Sequence, residues 1–212
     1  MANLLRLLNG LPTTRNISAA IDTLLGASDE AAARAAINAV AAAAGTVYGY
    51  KIFQKTDTQV SSGVASQAAV DVTGWKNIDG TAATPDFAAE NIGDLIVVRF
   101  TAGTVAHDEN IVNVGIAVKI GGTLITGDAS SSRTSVGSNT LISLNSVQST
   151  ANVVAIGADD AATTSPIAVA ASMINQSAAG GRTLYLNRSE GDLDSQYSAR
   201  AISTLEVWGV RQ

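Results

Sequence analysis

The spacing of hydrophobic positions changes near Gly45, and that change divides the chain. Before it, "ISAAIDTLLG" sets Ile17, Ala20, Ile21, Leu24 and Leu25 at helical intervals, which predicts a short helix ended by Gly26 in a left-handed conformation. A second helix is predicted over 28–44. Ser28 caps its amino end, Asp29 and Glu30 sit against the positive end of its dipole, Glu30 precedes Arg34 by one turn, and Gly45 closes it. Its apolar stripe, Ala33, Ile37, Val40 and Ala44, is narrow and flanked by alanine, so this helix buries too little to stand alone. The expectation is an oligomeric stem in which the helix packs on copies of itself about a symmetry axis, in preference to packing on its own sandwich.

After Gly45 the period falls to two. Alternating or β-branched runs occur at 46–54, 95–101, 111–120, 139–147, 152–157, 166–174, 182–187 and 203–210, and Val60 to Val72 carries two weaker ones. Short strands at this spacing predict an antiparallel sandwich or barrel and not a βαβ fold. Gly121-Gly122 between two such runs predicts a two-residue hairpin. The stretches "SSGVASQ" (61–67), "NIDGTAATPDFAAENIGD" (77–94) and "DASSSRTSVGSN" (128–139) read as polar loops projecting from the sandwich. The domain division is thus 1–45, an amino-terminal segment and helical stem, and 46–212, a β-sandwich head.

Composition narrows the function. The chain is 46% hydrophobic but only 4% aromatic and 15% charged, so its apolar mass is Ala, Val, Ile and Leu, suited to small-residue sheets with few reactive groups. A net charge of −5 argues against nucleic acid as a partner, since neutralising phosphates needs a dense field of Lys and Arg. Without cysteine there is no disulfide framework and no thiolate chemistry. The opening "MANLLRLLNGLPTTRN" is broken by Arg6 and Asn9 and is not expected to be a signal peptide, and no apolar run is long enough to predict a membrane-spanning helix.

Candidate chemistry is sparse. His107 in "AHDEN" would need carboxylates from afar to hold a metal or act as a base, so it reads as part of a solvated turn between strands. No nucleophile elbow, zinc-protease helix, phosphate loop or dinucleotide fingerprint occurs. Asp159-Asp160, or Asp192 with Asp194, are carboxylate pairs for glycan hydrolysis, although that reaction needs opposed carboxylates, which sequence neighbours rarely provide. Glu190, Asp192, Asp194 and Gln196 alternate as calcium ligands would, but they lack the full spacing of a calcium loop, and a turn held by side-chain to backbone bonds is the default. Tyr48, Tyr50, Trp75, Tyr197 and Trp208 read as core or subunit-contact residues. No cofactor is expected.

The ending "TLYLNRSEGDLDSQYSARAISTLEVWGV" resembles the closing strands of jelly-roll domains in bacteriophage fibre and head-decoration proteins, and "VGIAVKIGGTLITGD" looks like their central hairpin. "GASDEAAARAAINA" is similar to linker helices of phage fibre proteins. The resemblance implies a mainly β, antiparallel jelly-roll sandwich of the tumour-necrosis-factor type, a homotrimer with a structural role in the virion and no catalytic residues. Within that role the leucine cluster Leu4, Leu5, Leu7, Leu8 and Leu11 is expected to dock on capsid or tail proteins of the same virion. Two other readings stand beside capsid decoration or a head fibre. One is a tail fibre whose loops meet a host surface glycan. The other is a carbohydrate-binding module or weak glycan hydrolase using Asp192, Asp194 and Trp75.

Overall fold

The computed structural model describes residues 45–109, 112–127, 137–142, 151–157, 162–188 and 201–212. Its strands, in chain order, are β1 (Val47–Lys55), β2 (Gln59–Val64), β3 (Ala69–Asp71), β4 (Asp86–Phe87), β5 (Leu95–Ala102), β6 (Val105–His107), β7 (Val112–Ile120), β8 (Thr123–Ile125), β9 (Ser138–Ile142), β10 (Ala151–Gly157), β11 (Ile167–Asn175), β12 (Arg182–Leu186) and β13 (Ser203–Val210). One sheet has the order β1-β13-β5-β10. A second runs β3-β11-β7-β8, with β4 pairing β11 and β9 pairing β7, and a third is β2-β12-β6. Every pairing is antiparallel. Among the described residues no helix is long and apolar enough to cross a membrane.

Period-two patterning explains how these strands form a core. On β13 the residues Ser203, Leu205, Val207 and Gly209 turn inward while Thr204, Glu206, Trp208 and Val210 face outward. One hydrophobic cluster joins Ile96, Val98 and Phe100 of β5, Leu205 and Val207 of β13, Val114, Ile116 and Val118 of β7, and Val169, Ala171 and Met173 of β11. The first and second sheets therefore share a core, as packed sheets with alternating inward residues do. Leu184 and Leu186 of β12 and Val105 of β6 bring the third sheet into the same cluster. Val47–Val210 forms one compact unit by its internal contacts.

Glycine sets two local features. Gly121 and Gly122, with φ of 58° and 82°, make the two-residue turn between β7 and β8, and Ile120 pairs Thr123 across it. In β1 the register slips between Tyr48 and Lys51, where Gly49 has φ of 63° and a Cβ would press the Phe87 ring at 3.0 Å.

Two expected loops are corrected. Residues 61–64 belong to β2, because Val64 fills the core and Arg182 to Leu186 pair along that strand. The segment 77–94 is not simply a projecting loop. It contains β4, it buries Phe87 at 1% exposure, and its Asp94 carboxylate is enclosed, accepting from the Tyr48 hydroxyl at 2.7 Å and the Asn91 backbone N–H at 3.0 Å. Burial and the Asp94 hydrogen bond together push the Tyr48 hydroxyl pKa up. The predicted helices, including Ala33, Ile37, Val40 and Ala44, lie outside the described residues.

Asp71 ties two neighbouring strands to a third. Its Oδ1 accepts from the Ser172 hydroxyl at 2.7 Å and lies 2.6 Å from Lys119 Nζ. Burial alone would raise this carboxyl, but the hydrogen bonds from Lys119 and Ser172 and the lysine charge outweigh it, and the group is held below its ordinary pKa. The folded state thus favours the ionised form. The stabilisation is present above the unfolded carboxyl pKa and is lost as pH falls through the folded one. Denaturant titrations of Asp71→Asn against pH should therefore show a shallower loss of stability on the acid side than the parent. An unchanged acid limb would refute the assignment.

Candidate functional site

The richest polar cluster among the described residues lies where β6 and β11 end and β12 begins. His107, the last residue of β6, pairs Leu184 of β12 and is fully buried. Its Nδ1 accepts the backbone N–H of Glu109 at 2.9 Å, so that nitrogen carries no proton and Nε2–H donates to Asn175 Oδ1 at 3.1 Å. The amide of Asn175 is oriented by three carbonyls, since Nδ2 donates to Val64 and Ala65 at 3.1 Å and to Ala179 at 3.3 Å. Asp108 Oδ2 accepts the Thr183 N–H at 2.8 Å. Its other oxygen approaches His107 Nδ1 to 3.4 Å without a hydrogen bond, as expected when neither atom carries a proton.

The same asparagine shapes the loop that follows. Asn175 Oδ1 accepts the Ser177 N–H at 2.9 Å, and Ser177 Oγ accepts the Ala179 N–H at 3.1 Å, two successive turns in which side chains take over backbone pairing. Ser177 Oγ also donates to Glu109 Oε2 at 2.6 Å, and that oxygen is 3.1 Å from Arg182 Nη2. Above this pair opens a cleft of about 370 Å³ lined by Glu109, Val112, Asn113, Gln176, Ser177, Ala178 and Ala179. The arrangement fixes a carboxylate and a hydroxyl beside a small cleft that Asn113 and Gln176 also line. The imidazole, with both nitrogens engaged, has no lone pair left for proton abstraction or metal binding.

Two other surfaces frame the choice of site. On the outer face of the first sheet the Tyr50 hydroxyl donates to Glu206 Oε2 at 2.6 Å, and the Tyr50 and Trp208 rings lie 5.9 Å apart. Arg99 sits 5.4 Å above the Trp208 ring and 3.7 Å from Glu206. The hydrogen bond to Glu206, then burial, raises the Tyr50 pKa. These polar groups bond chiefly to one another. A wider cleft of about 780 Å³ lies between β1 and residues 77–86, with Lys51 and Asp86 joined across it at 2.7 Å.

No family model matches the sequence. No curated protein matches it either. Among solved structures, the chain is similar to one in the structure of infectious bursal disease virus, Gx strain, at 10% identity and a TM-score of 0.31. That match covers 80% of this chain and 42% of the other, so the chain spans less than half the length of its structural neighbour.

The structure relocates several residues singled out in the sequence. His107 is not in a solvated turn: it is 0% exposed, because β12 and the Asn175 side chain enclose the end of β6. Trp75 is 3% exposed, packs edge-on to Phe100 and donates its indole N–H to the Val72 carbonyl at 3.0 Å, so no ring face is left for a sugar. Among the described residues no three His, Asp or Glu side chains gather as metal ligands. The docking leucines Leu4, Leu5, Leu7, Leu8 and Leu11, the carboxylates Asp159, Asp160, Glu190, Asp192 and Asp194, and Gln196 and Tyr197 lie outside the described residues.

Asn175, Gln176 and Ser177 were not singled out from the sequence, although a signal was present: an Asn-x-Ser triplet directly after an apolar strand predicts side-chain turn bonds. Asn187-Arg188-Ser189 repeats that signal after β12, and Asn187 is likewise fully buried. Both triplets match the acceptor pattern for N-glycosylation. Burial of both asparagines assigns them to the fold.

Proposed function

We propose that the chain is a virion structural protein, a homotrimeric capsid decoration protein or head fibre, whose residues 46–212 form a jelly-roll head. The observation that carries this reading is strand order. The first sheet, β1-β13-β5-β10, and the second, read as β3-β11-β7-β9, take strands from the chain in an order that interleaves two Greek keys. This order supports reading the eight strands as a jelly roll, an architecture used by viral capsid and lectin domains. The step from fold to role is an analogy, and the resemblance of the chain's ending to phage fibre and decoration proteins supports it.

In this reading the segment before Gly45, predicted from its sequence to be helical, forms the stem with Ala33, Ile37, Val40 and Ala44 at its seam, the leucines at 4–11 attach to the particle, and no reaction is catalysed. The deciding experiment is the solution mass of the full chain by light scattering. Three times the single-chain mass of 21.5 kDa is expected, and a species that stays at one chain at micromolar concentration refutes the trimer. Deleting residues 2–15 should leave the trimer intact and abolish its sedimentation with particles. Copies per particle then separate decoration, which requires many, from a tail fibre, which requires few.

A further inference from the structure

We propose that the open edge of β1 at Ile52 takes up an extended peptide segment of a partner protein, one with a basic residue beside apolar ones, in the cleft between β1 and residues 77–86. The proposal is independent of the virion role and of the number of copies. The lining of this cleft falls wholly within the continuous described stretch 45–109. Among the described strands β1 pairs only β13. On its other side Gln54 exchanges both backbone hydrogen bonds with Lys76, each at 2.8 Å, so the N–H and C=O of Gln54 point away from β13. Ile52 lies two residues earlier in the same unbroken register, and its N–H and C=O therefore point the same way, toward the cleft it lines. Neither group has a hydrogen-bond partner among the described residues.

The lane alongside Ile52 is started by Lys76 and then vacated. A straight continuation would bring Ile78 opposite Ile52, but the chain turns off at Asn77, whose N–H donates to the Thr81 carbonyl at 2.8 Å and whose carbonyl accepts the Gly80 N–H at 2.9 Å. Ile78 is left 68% exposed, and a cleft of about 780 Å³ opens, within the range of binding sites. The earlier part of the edge is guarded by the bulge between Tyr48 and Lys51 and by the lysine charge, whereas Ile52 has neither device. A donor and an acceptor on either side of one α-carbon are matched by another α-carbon flanked by amides, which is a peptide residue in extended form, as in strand addition. Charge narrows the sequence. Lys51 and Asp86 neutralise each other at 2.7 Å. Hydrogen bonds from the Thr81 hydroxyl and N–H hold the Asp79 carboxyl below its ordinary pKa, so the cleft keeps one ionised acid with no cation beside it among the described residues. A basic residue in the peptide complements it, and Ile78, Ala82 and Ala83 offer apolar contacts to the residues on either side.

The test is an amide chemical-shift titration of the full chain with the acetylated and amidated tripeptide Val-Lys-Val. The amides of Ile52, Ile78 and Ala83 should shift, and N-methylating the peptide at every residue should weaken binding about tenfold or more, since it removes the backbone donors. Asp79→Asn keeps the acceptor for Thr81 and removes the charge, so it should weaken binding about threefold. Ile52→Pro removes the edge donor at a place where edge strands tolerate proline, and should abolish the shifts. Should that variant fail to fold, the N-methylated peptide poses the same question to the parent chain. Absence of shifts overturns the proposal, as do shifts that survive N-methylation, and equal binding of Val-Glu-Val overturns the preference for a basic residue. Shifts of the same amides on raising the concentration of the chain alone would assign the lane to a second copy and overturn the peptide.

Discussion

Asn175→Leu is expected to destabilise the chain by about 3–5 kcal/mol, since several buried groups lose their partner at about 1–3 kcal/mol each. Leucine keeps the branched four-atom shape and is the larger side chain, so the loss would come from polarity and not from a cavity. Leucine removes the acceptor for His107 Nε2–H and for the Ser177 N–H, and it takes one donor from each of the Val64, Ala65 and Ala179 carbonyls. The bonds to His107, the Ser177 N–H and the Val64 carbonyl are buried and gain no replacement, whereas the Ala65 carbonyl keeps the Ala68 N–H at 3.1 Å. Urea unfolding should show the midpoint moving sharply down. His107→Leu in the same background should then cost far less than it does alone, because its partner is already gone. Independent, additive losses would show that the two side chains do not act together.

Asn187 gives the second large effect, and here backbone and side chain can be separated. Its φ is 59°, a left-handed conformation that asparagine tolerates and alanine resists. Its Nδ2 donates to the carbonyls of Lys55 at 2.8 Å and Asp57 at 3.1 Å, and its Oδ1 accepts from Ser203 Oγ at 2.7 Å. Ser203 Oγ in turn accepts the Gly103 N–H at 3.0 Å, so one residue links the ends of β1, β5, β12 and β13. Asn187→Gly keeps the backbone and loses the bonds, and about 2–3 kcal/mol should go. Asn187→Ala loses both and should cost about 1 kcal/mol more. Equal losses in the two variants would show that the left-handed turn contributes nothing.

β13 was legible because one face is buried, which writes itself as alternation, and β5 and β7, buried on both faces over Ile96–Val98 and Val114–Val118, were legible as short β-branched runs. The runs at 95–101, 111–120 and 203–210 became β5, β7 and β13 with boundaries moved by a residue at most. β4 and β6 are only two and three residues long, too short for any period to show. His107 was misread for a different reason. Its neighbours Asp108, Glu109 and Asn110 are polar, which signals a turn, whereas its burial is imposed by Asn175, 68 positions along the chain. Trp75, in a stretch of turn residues, is buried by Phe100 of β5 in the same non-local way. The candidate site shares this character. Gln176 and Asn113 become neighbours only when β11 and β7 pair, so local spacing carries no trace of the cleft.

The two indoles of the chain end in opposite surroundings, and this makes each a separate optical reporter. Trp75 is sealed between hydrophobic side chains, so its emission belongs to the blue end of the indole range and moves to the red only when the core opens. Trp208 is half-buried on the outer sheet face under the Arg99 guanidinium, where a soluble quencher such as acrylamide is admitted. Quenching of the red component alone therefore registers whatever comes to cover that face, while the blue component registers unfolding, and the two events are distinguishable in unlabelled protein.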